Sequence, residues 1–323
     1  MKILYSYIAF FTLIPAMLCL GGCHQSSEPR DARNTARNTI INVSPTPPPS
    51  VEQQPEKAAP VDVSPDSLKD LERLFALNNY DLDTLHEHGV PKIIIHNLPE
   101  DLKEVGAVSE KKRLFFLTLL PMILMANEEI QAERDTLISL FDSFDQGKLP
   151  GALELERLAS IQRRYKIKGD PLMDEAVRQK LLTRVDILPP SLVLAQAANE
   201  SAWGTSRFAR LANNIFGEWT FTPGTGIVPK DRPEGASYEV RKFPSIYDSL
   251  KSYMANLNTN GAYAPLRRLR AQMRRQDEPL QGTELAKGLL AYSTRREAYV
   301  AEIAEMIRYN RLNKFSQASL RGS

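Results

Sequence analysis

Cysteine is almost missing from this chain: its 323 residues include two, Cys19 and Cys23, both near the start. Beyond residue 23 the fold has no disulfide to rely on, and thiolate metal sites of the zinc-finger or iron–sulfur type are excluded. Histidine is also scarce, at four. His86, His88 and His96 fall close together but lack a cysteine partner, so they are expected to be structural or solvated and no metal is expected. Neither sign of charge is in excess, because 41 Lys and Arg against 39 Asp and Glu leave +2, too little to support nucleic-acid binding. No glycine-rich phosphate loop or dinucleotide fingerprint occurs, so no organic cofactor is implied. Between His24 and Asp66 there is no Phe, Tyr, Trp, Leu, Met or Gly, while eight prolines interrupt the segment. Such a stretch has too little apolar surface to order itself. Residues 23–66 are expected to form a disordered tether reaching about 100 Å when extended.

The remaining composition, 42% apolar and 25% charged, is that of a globular protein with one or two folded units. At the start, Lys2 precedes an apolar run from Ile3 to Leu20 that ends in Gly21 and Gly22, the pattern of a secretory signal peptide over residues 1–22. Leu20-Gly21-Gly22-Cys23 resembles a bacterial lipobox. That resemblance implies cleavage before Cys23, lipidation of Cys23 and a membrane anchor. His24 in place of Asp implies sorting to the outer membrane, facing the periplasm.

The folded part divides by pattern into a helical region over 67–150, a second region over 151–313 and a tail over 314–323. In the first, Leu68, Leu71, Leu74 and Phe75 recur at helical spacing. Lys111 to Phe144 is a longer helical pattern that Pro121 is expected to kink or split. Ile93-Ile94-Ile95 is β-branched but too short to fix as a strand. In the second region, Leu153–Tyr165 and Pro171–Val185 are amphipathic helical patterns.

Pro189-Pro190 then opens a run from Ser191 to Trp203 closed by Gly204, the Pro-in, Gly-out signature of a helix. Glu200 falls in its last turn, on one face with Val193, Gln196 and Ala197. The negative end of the helix and an apolar neighbour such as Trp203 both disfavour ionisation there and raise the pKa of Glu200. A carboxyl kept protonated near neutrality is what a glycosidic general acid requires. A surface glutamate at a frayed helix end is the plain alternative.

Asn199-Glu200-Ser201-Ala202-Trp203-Gly204-Thr205-Ser206 is followed by Asn213-Asn214-Ile215-Phe216-Gly217. Further on come Phe243, Ser245, Tyr247, Ser249 and Tyr253, then Tyr292-Ser293-Thr294 and Tyr299. In order and spacing these resemble the N-acetylglucosaminidase domain of glycoside hydrolase family 73, over about 160 residues from Leu153 to Leu312. The resemblance implies a mainly α (α+β), lysozyme-like helical catalytic domain with a small β-hairpin lobe. It implies a monomeric endo-β-N-acetylglucosaminidase acting on peptidoglycan glycan strands, with Glu200 as general acid. A muramidase or lytic transglycosylase using the same acid, and a non-catalytic wall-binding module, remain open alternatives.

The lobe is placed at Gly224 to Phe243, with strands at Thr225–Val228 and Ala236–Phe243. Its acids Glu218, Asp231, Glu234 and Glu239 are candidates for a second catalytic carboxylate. Glu239 is preferred because a strand fixes its direction. Candidate substrate-binding residues are Trp203, Asn214, Phe216, Trp219, Tyr292 and Tyr299. Of these, Phe216 and Trp203, with Tyr253, are expected to serve packing chiefly, and Tyr292 and Tyr299 to lie nearer the saccharide. The run Arg267, Arg268, Arg270, Arg274 and Arg275 is expected to be a solvated helix face, with attraction of stem-peptide carboxylates as the alternative.

Overall fold

The computed structural model describes residues 59–230 and 232–322. The signal segment, Cys19, Cys23, tether residues 23–58 and Asp231 lie outside the described residues. In chain order the elements are β1 (Val61–Val63), α1 (Leu68–Leu77), α2 (Leu85–His88), β2 (Ile93–Ile95), α3 (Val108–Asp145), α4 (Ala152–Arg164), α5 (Glu175–Arg184) and α6 (Pro190–Ser201). Then follow α7 (Arg207–Ala212), β3 (Trp219–Thr220), β4 (Gly226–Ile227), β5 (Glu239–Arg241), α8 (Ile246–Thr259), α9 (Ala264–Arg275), α10 (Gly282–Ala286) and α11 (Glu297–Tyr309). The architecture is mainly helical with a small β lobe between α7 and α8, as the family resemblance implied.

Local chemistry explains most element boundaries. Ser67 caps α1 through a reciprocal pair: its hydroxyl accepts from the Asp70 amide at 3.2 Å and its own amide donates to the Asp70 carboxylate at 3.1 Å. Ser245 caps α8 by accepting from the Asp248 amide at 3.0 Å. Helix α3 runs 38 residues without the split expected at Pro121. A proline removes one ladder bond, but the apolar stretches on both sides, Leu114–Leu120 and Met122–Ile123, are buried in one core, so breaking the helix there would expose both. By length and composition α3 is apolar enough to cross a membrane, yet 78% of its apolar window is buried inside the protein, as for a central core helix.

Three boundaries drawn from the sequence move. The tether does not extend to residue 66: Val61–Val63 forms β1 and pairs in parallel with Ile93–Ile95, so the isoleucine run is a strand after all. Its β-branched side chains alternate into the core, Ile93 and Ile95 being buried. Of the expected tail over 314–323, residues 314–322 are packed on the fold: Phe315 and Leu320 are buried and Arg321 donates to the backbone oxygens of Asn79, His88 and Gly89. The division at residue 150 does not separate two cores. One continuous apolar cluster joins Leu71, Phe115 and Leu120 to Leu194, Tyr253, Ile303 and Phe315. A smaller cluster spans the same division, packing Leu137 and Phe141 of α3 against Leu158, Ile161 and Leu181. The Gly147–Gly151 junction is a turn between helices packed on each other.

The lobe has three strands rather than two, in the order β3-β5-β4, with Trp219 opposite Val240 and Ile227 opposite the same residue. Strand β3 consists of two residues, too short to show alternation in sequence.

Candidate catalytic site

Helix α6 is launched from a fixed point. The side-chain amide of Asn127 on α3 donates to Leu188 O at 2.8 Å and accepts from Leu188 N at 3.1 Å, just before Pro189-Pro190. Two residues before Leu188, Asp186, 2% exposed, accepts from Arg274 at 2.8 Å and lies 3.6 Å from Arg270 and 3.9 Å from Arg134. Arg270 is fully buried and also donates to the backbone oxygens of Thr183, Asp186 and Ile187. Arg267 is buried and donates to Leu257 O and Asn260 O. The arginine run is therefore not a solvated face: Arg270 and Arg274 hold the segment before the site helix and Arg267 holds the end of α8, while Arg268 and Arg275 face an open groove with Lys287. Desolvation works against the charge of Asp186, but the arginines outweigh it and hold its carboxyl below the usual range.

Pro190 takes the first helical position and every residue through Ala198 is buried. The helix ends at Ser201 as the Pro and Gly signals predict. Ala202, Trp203 and Gly204 all have positive φ, at 49°, 59° and 79°, reversing the chain. Ser201 secures the reversal, its hydroxyl donating to Ala197 O at 2.6 Å and accepting from Gly204 N at 2.8 Å. Gly204 is needed twice over, for its φ and because a Cβ there would lie 2.7 Å from Leu98 Cδ1.

Glu200 thus stands half-buried in the last turn of α6. Burial raises its pKa, the direction expected from the sequence; hydrogen bonds from Tyr299 and Asn199 and the charge of Arg295 oppose the rise, and Glu302 adds to it. Tyr299 on α11 donates to Glu200 Oε1 at 2.7 Å, and Tyr292 stacks on the Tyr299 ring at 5.4 Å with an 8° interplanar angle. The structure brings both tyrosines to Glu200, Tyr292 also reaching Phe216 O at 3.4 Å.

The other candidates divide. Trp203 is spent on α3, edge-on to Phe115 and Phe116 at 5.8 and 5.6 Å with the Lys112 ammonium 4.8 Å from its ring. Phe216 stacks on Tyr253 inside the core. Asn214 is 1% exposed and its amide is used on backbone, donating to Glu218 O and Arg241 O at 2.8 Å each and accepting from Glu218 N at 2.9 Å. These three serve packing or the placement of the lobe. Trp219 stays half-exposed on the lobe, edge-on to Tyr238 at 4.5 Å, a neighbour that no local sequence signal marks.

Glu239, the preferred candidate for a second catalytic carboxylate, is 7% exposed on β5. Its two oxygens accept from Gly224 N at 3.0 Å and Gly226 N at 2.8 Å, which holds its pKa below the usual range. The side chain is a brace that closes the turn before β4 onto β5. Glu218 is the lobe carboxyl with a raised pKa, from burial, with Ser252 donating to it at 2.8 Å and Arg241 3.7 Å away. Glu234 is exposed. Among the described residues no three His, Cys, Asp or Glu side chains converge as metal ligands; His96 pairs with Asp62, and His88 lies beside Glu87.

The helical period puts Gln196 on the Glu200 face, but nothing in the sequence marks its role. Asp186, a lone acid in the apolar stretch Val185–Leu188, is a usable signal for a buried ion pair, while Asn127 carries no such signal.

The glucosaminidase family model, described as mannosyl-glycoprotein endo-beta-N-acetylglucosaminidase, matches residues 176–312. The protein Bax of Escherichia coli strain K12 is 37% identical over 202 residues, covering 62% of this chain and 69% of the relative. Among solved structures, the catalytic domain of the autolysin Auto from Listeria monocytogenes aligns over 54% of this chain and 93% of its own, with 18% identity and a TM-score of 0.31. On the family match and the identity to Bax, the chain belongs to the glucosaminidase family, glycoside hydrolase family 73, and is a peptidoglycan hydrolase.

Proposed function

We propose that the protein is an endo-β-N-acetylglucosaminidase that hydrolyses the β-1,4 bond following N-acetylglucosamine in peptidoglycan, with Glu200 as its general acid. One observation carries the assignment: a half-buried carboxyl at a helix C-terminus, raised in pKa by burial and held in one orientation by the Tyr299 hydroxyl at 2.7 Å. In its protonated form Glu200 delivers a proton to the leaving glycosidic oxygen as positive charge develops on the sugar. The Tyr299 hydroxyl then donates to the carboxylate that remains. The half-exposed rings of Tyr292, backed by the buried Tyr299, and of Trp219 supply aromatic surface for saccharide rings.

Digestion of purified sacculi, borohydride reduction and mass spectrometry of the new ends tests the reading. Reduced N-acetylglucosamine ends, lost in Glu200→Gln, are expected. Reduced muramic acid or anhydromuramic ends would overturn the bond assignment, and binding without turnover in both proteins would make the domain a wall-binding module. Because Glu200 acts in its protonated form, kcat/KM should fall as pH rises through its raised pKa. The same reading places the enzyme on a lipid anchor at Cys23, on the outer membrane facing the periplasm. Incorporation of labelled palmitate, abolished by Cys23→Ser, is the corresponding check.

A further inference from the structure

A buried tyrosine hydroxyl must place both a proton and its lone pairs. Behind Glu200, two such hydroxyls and one glutamine amide form a single chain. Tyr253 Oη lies 2.5 Å from Gln196 Oε1, Gln196 Nε2 lies 2.9 Å from Tyr299 Oη, and Tyr299 Oη lies 2.7 Å from Glu200 Oε1. Gln196 is fully buried, and Tyr253 and Tyr299 are each 1% exposed.

Counting protons fixes the direction of this chain. A glutamine amide accepts at one end and donates at the other. Were its NH2 turned toward Tyr253, that oxygen would accept and its own proton would be left buried against another donor, a costly arrangement. With the carbonyl toward Tyr253 each proton has an acceptor: Tyr253 gives to Gln196, Gln196 gives to Tyr299, and Tyr299 keeps its proton for Glu200. We propose that Gln196 is a positioning residue of the hydrolysis, its side-chain amide holding the Tyr299 hydroxyl so that the proton of that hydroxyl points at Glu200. The inference rests on Glu200 being the general acid.

The effect falls on the step in which charge appears on Glu200. A hydrogen bond to an ionised carboxylate is stronger than one to a neutral carboxyl, and the Gln196 donation polarises the Tyr299 hydroxyl, making it a better donor. The groups facing Glu200 are few. From α11 come Tyr299 and Glu302, from the turn before it Tyr292 and Arg295, from α8 Tyr253, and from α6 itself Asn199, whose amide donates at 3.4 Å. Arg295 is paired with Glu302 at 2.6 Å. On the other elements packed against α6, Lys112 of α3 lies over Trp203, Glu284 of α10 is paired with Lys287, and Lys314 lies over the Phe315 ring. Tyr299 is therefore the short donor that can respond when Glu200 loses its proton, and Gln196 is what orients it.

The test uses the full chain and the variants Gln196→Met, Tyr299→Phe, both together, and Glu200→Gln, assayed across pH on soluble uncrosslinked glycan strands. Gln196→Met removes both hydrogen bonds at nearly unchanged length. It should lower kcat about five- to tenfold, leave KM unchanged because Gln196 reaches no surface, and move the alkaline limb of kcat/KM up by roughly half to one pH unit. The double variant should be no slower than Tyr299→Phe alone, since the two residues act through one bond. An unmoved limb in Gln196→Met, or additive losses in the double variant, with Glu200→Gln inactive, would overturn the inference alone. Full turnover in Glu200→Gln would overturn it together with the acid assignment. If Gln196→Met does not fold, Tyr253→Phe probes the same chain while keeping the ring stacked on Phe216. A smaller upward movement of the limb supports the proposal, and none overturns it.

Discussion

Replacing Asp186 by Asn keeps its shape and removes its charge. The wild-type carboxylate is 2% exposed and is the counter-charge for Arg270, which is fully buried and whose Nε has no hydrogen-bond partner of its own. Breaking a buried pair by neutralising one member costs about 3–5 kcal/mol, because the other charge is left behind. Arg274, 36% exposed, and Arg134, 16% exposed, can be rehydrated, and Arg270 retains its three backbone acceptors, so the lower end, about 3 kcal/mol, is expected. At roughly 2–4 °C per kcal/mol for a protein of this size, the Tm should drop by about 6–12 °C. Asp186 has a depressed pKa in the folded state. Its contribution is therefore present above the unfolded value of about 3.9 and is lost as pH falls through the lower folded value. Urea unfolding followed by circular dichroism at pH 7 and near pH 3 should show a large deficit for Asp186→Asn at neutrality and a smaller one in acid. A deficit under about 1 kcal/mol at pH 7, or one equal at both pH values, would refute the account.

Gly204→Ala places a Cβ in a left-handed residue 2.7 Å from Leu98 and 3.3 Å from both Leu102 and Phe115. Strain and overpacking together should cost about 2–4 kcal/mol, read as a lower urea midpoint with unchanged slope. A fragment limited to residues 176–312, the part matched by the family model, lacks Phe115, Phe116, Leu120 and Phe315 from the shared core; it should show a collapsed proton NMR spectrum, and a dispersed one would mean the core divides after all. Glu239→Gln leaves one acceptor for two amides and turns an NH2 toward Gly224 or Gly226. Limited proteolysis between residues 224 and 238 should accelerate together with the loss of activity; lost activity with unchanged proteolysis would return a chemical role to Glu239.

The sequence by itself determined the elements whose signals are local. Pro190 and Gly204 bound the site helix, and the helical period aligned Gln196 with Glu200. The direction of the Glu200 pKa shift agrees with its place at a helix end, but its main cause, burial, is supplied by the tertiary structure. Tertiary structure decided everything that depends on partners distant in sequence. That Arg270 faces inward follows from Asp186, 84 residues away, and a charge alone does not say whether its partner is water or a carboxylate. That Pro121 leaves α3 whole follows from what packs around it, and Val61–Val63 becomes a strand because Ile93–Ile95 is there to pair with. Glu239 braces its lobe and Gln196 joins Tyr253 to Tyr299 because folding brings amides and hydroxyls from separate elements within hydrogen-bond reach, which spacing along the chain does not encode.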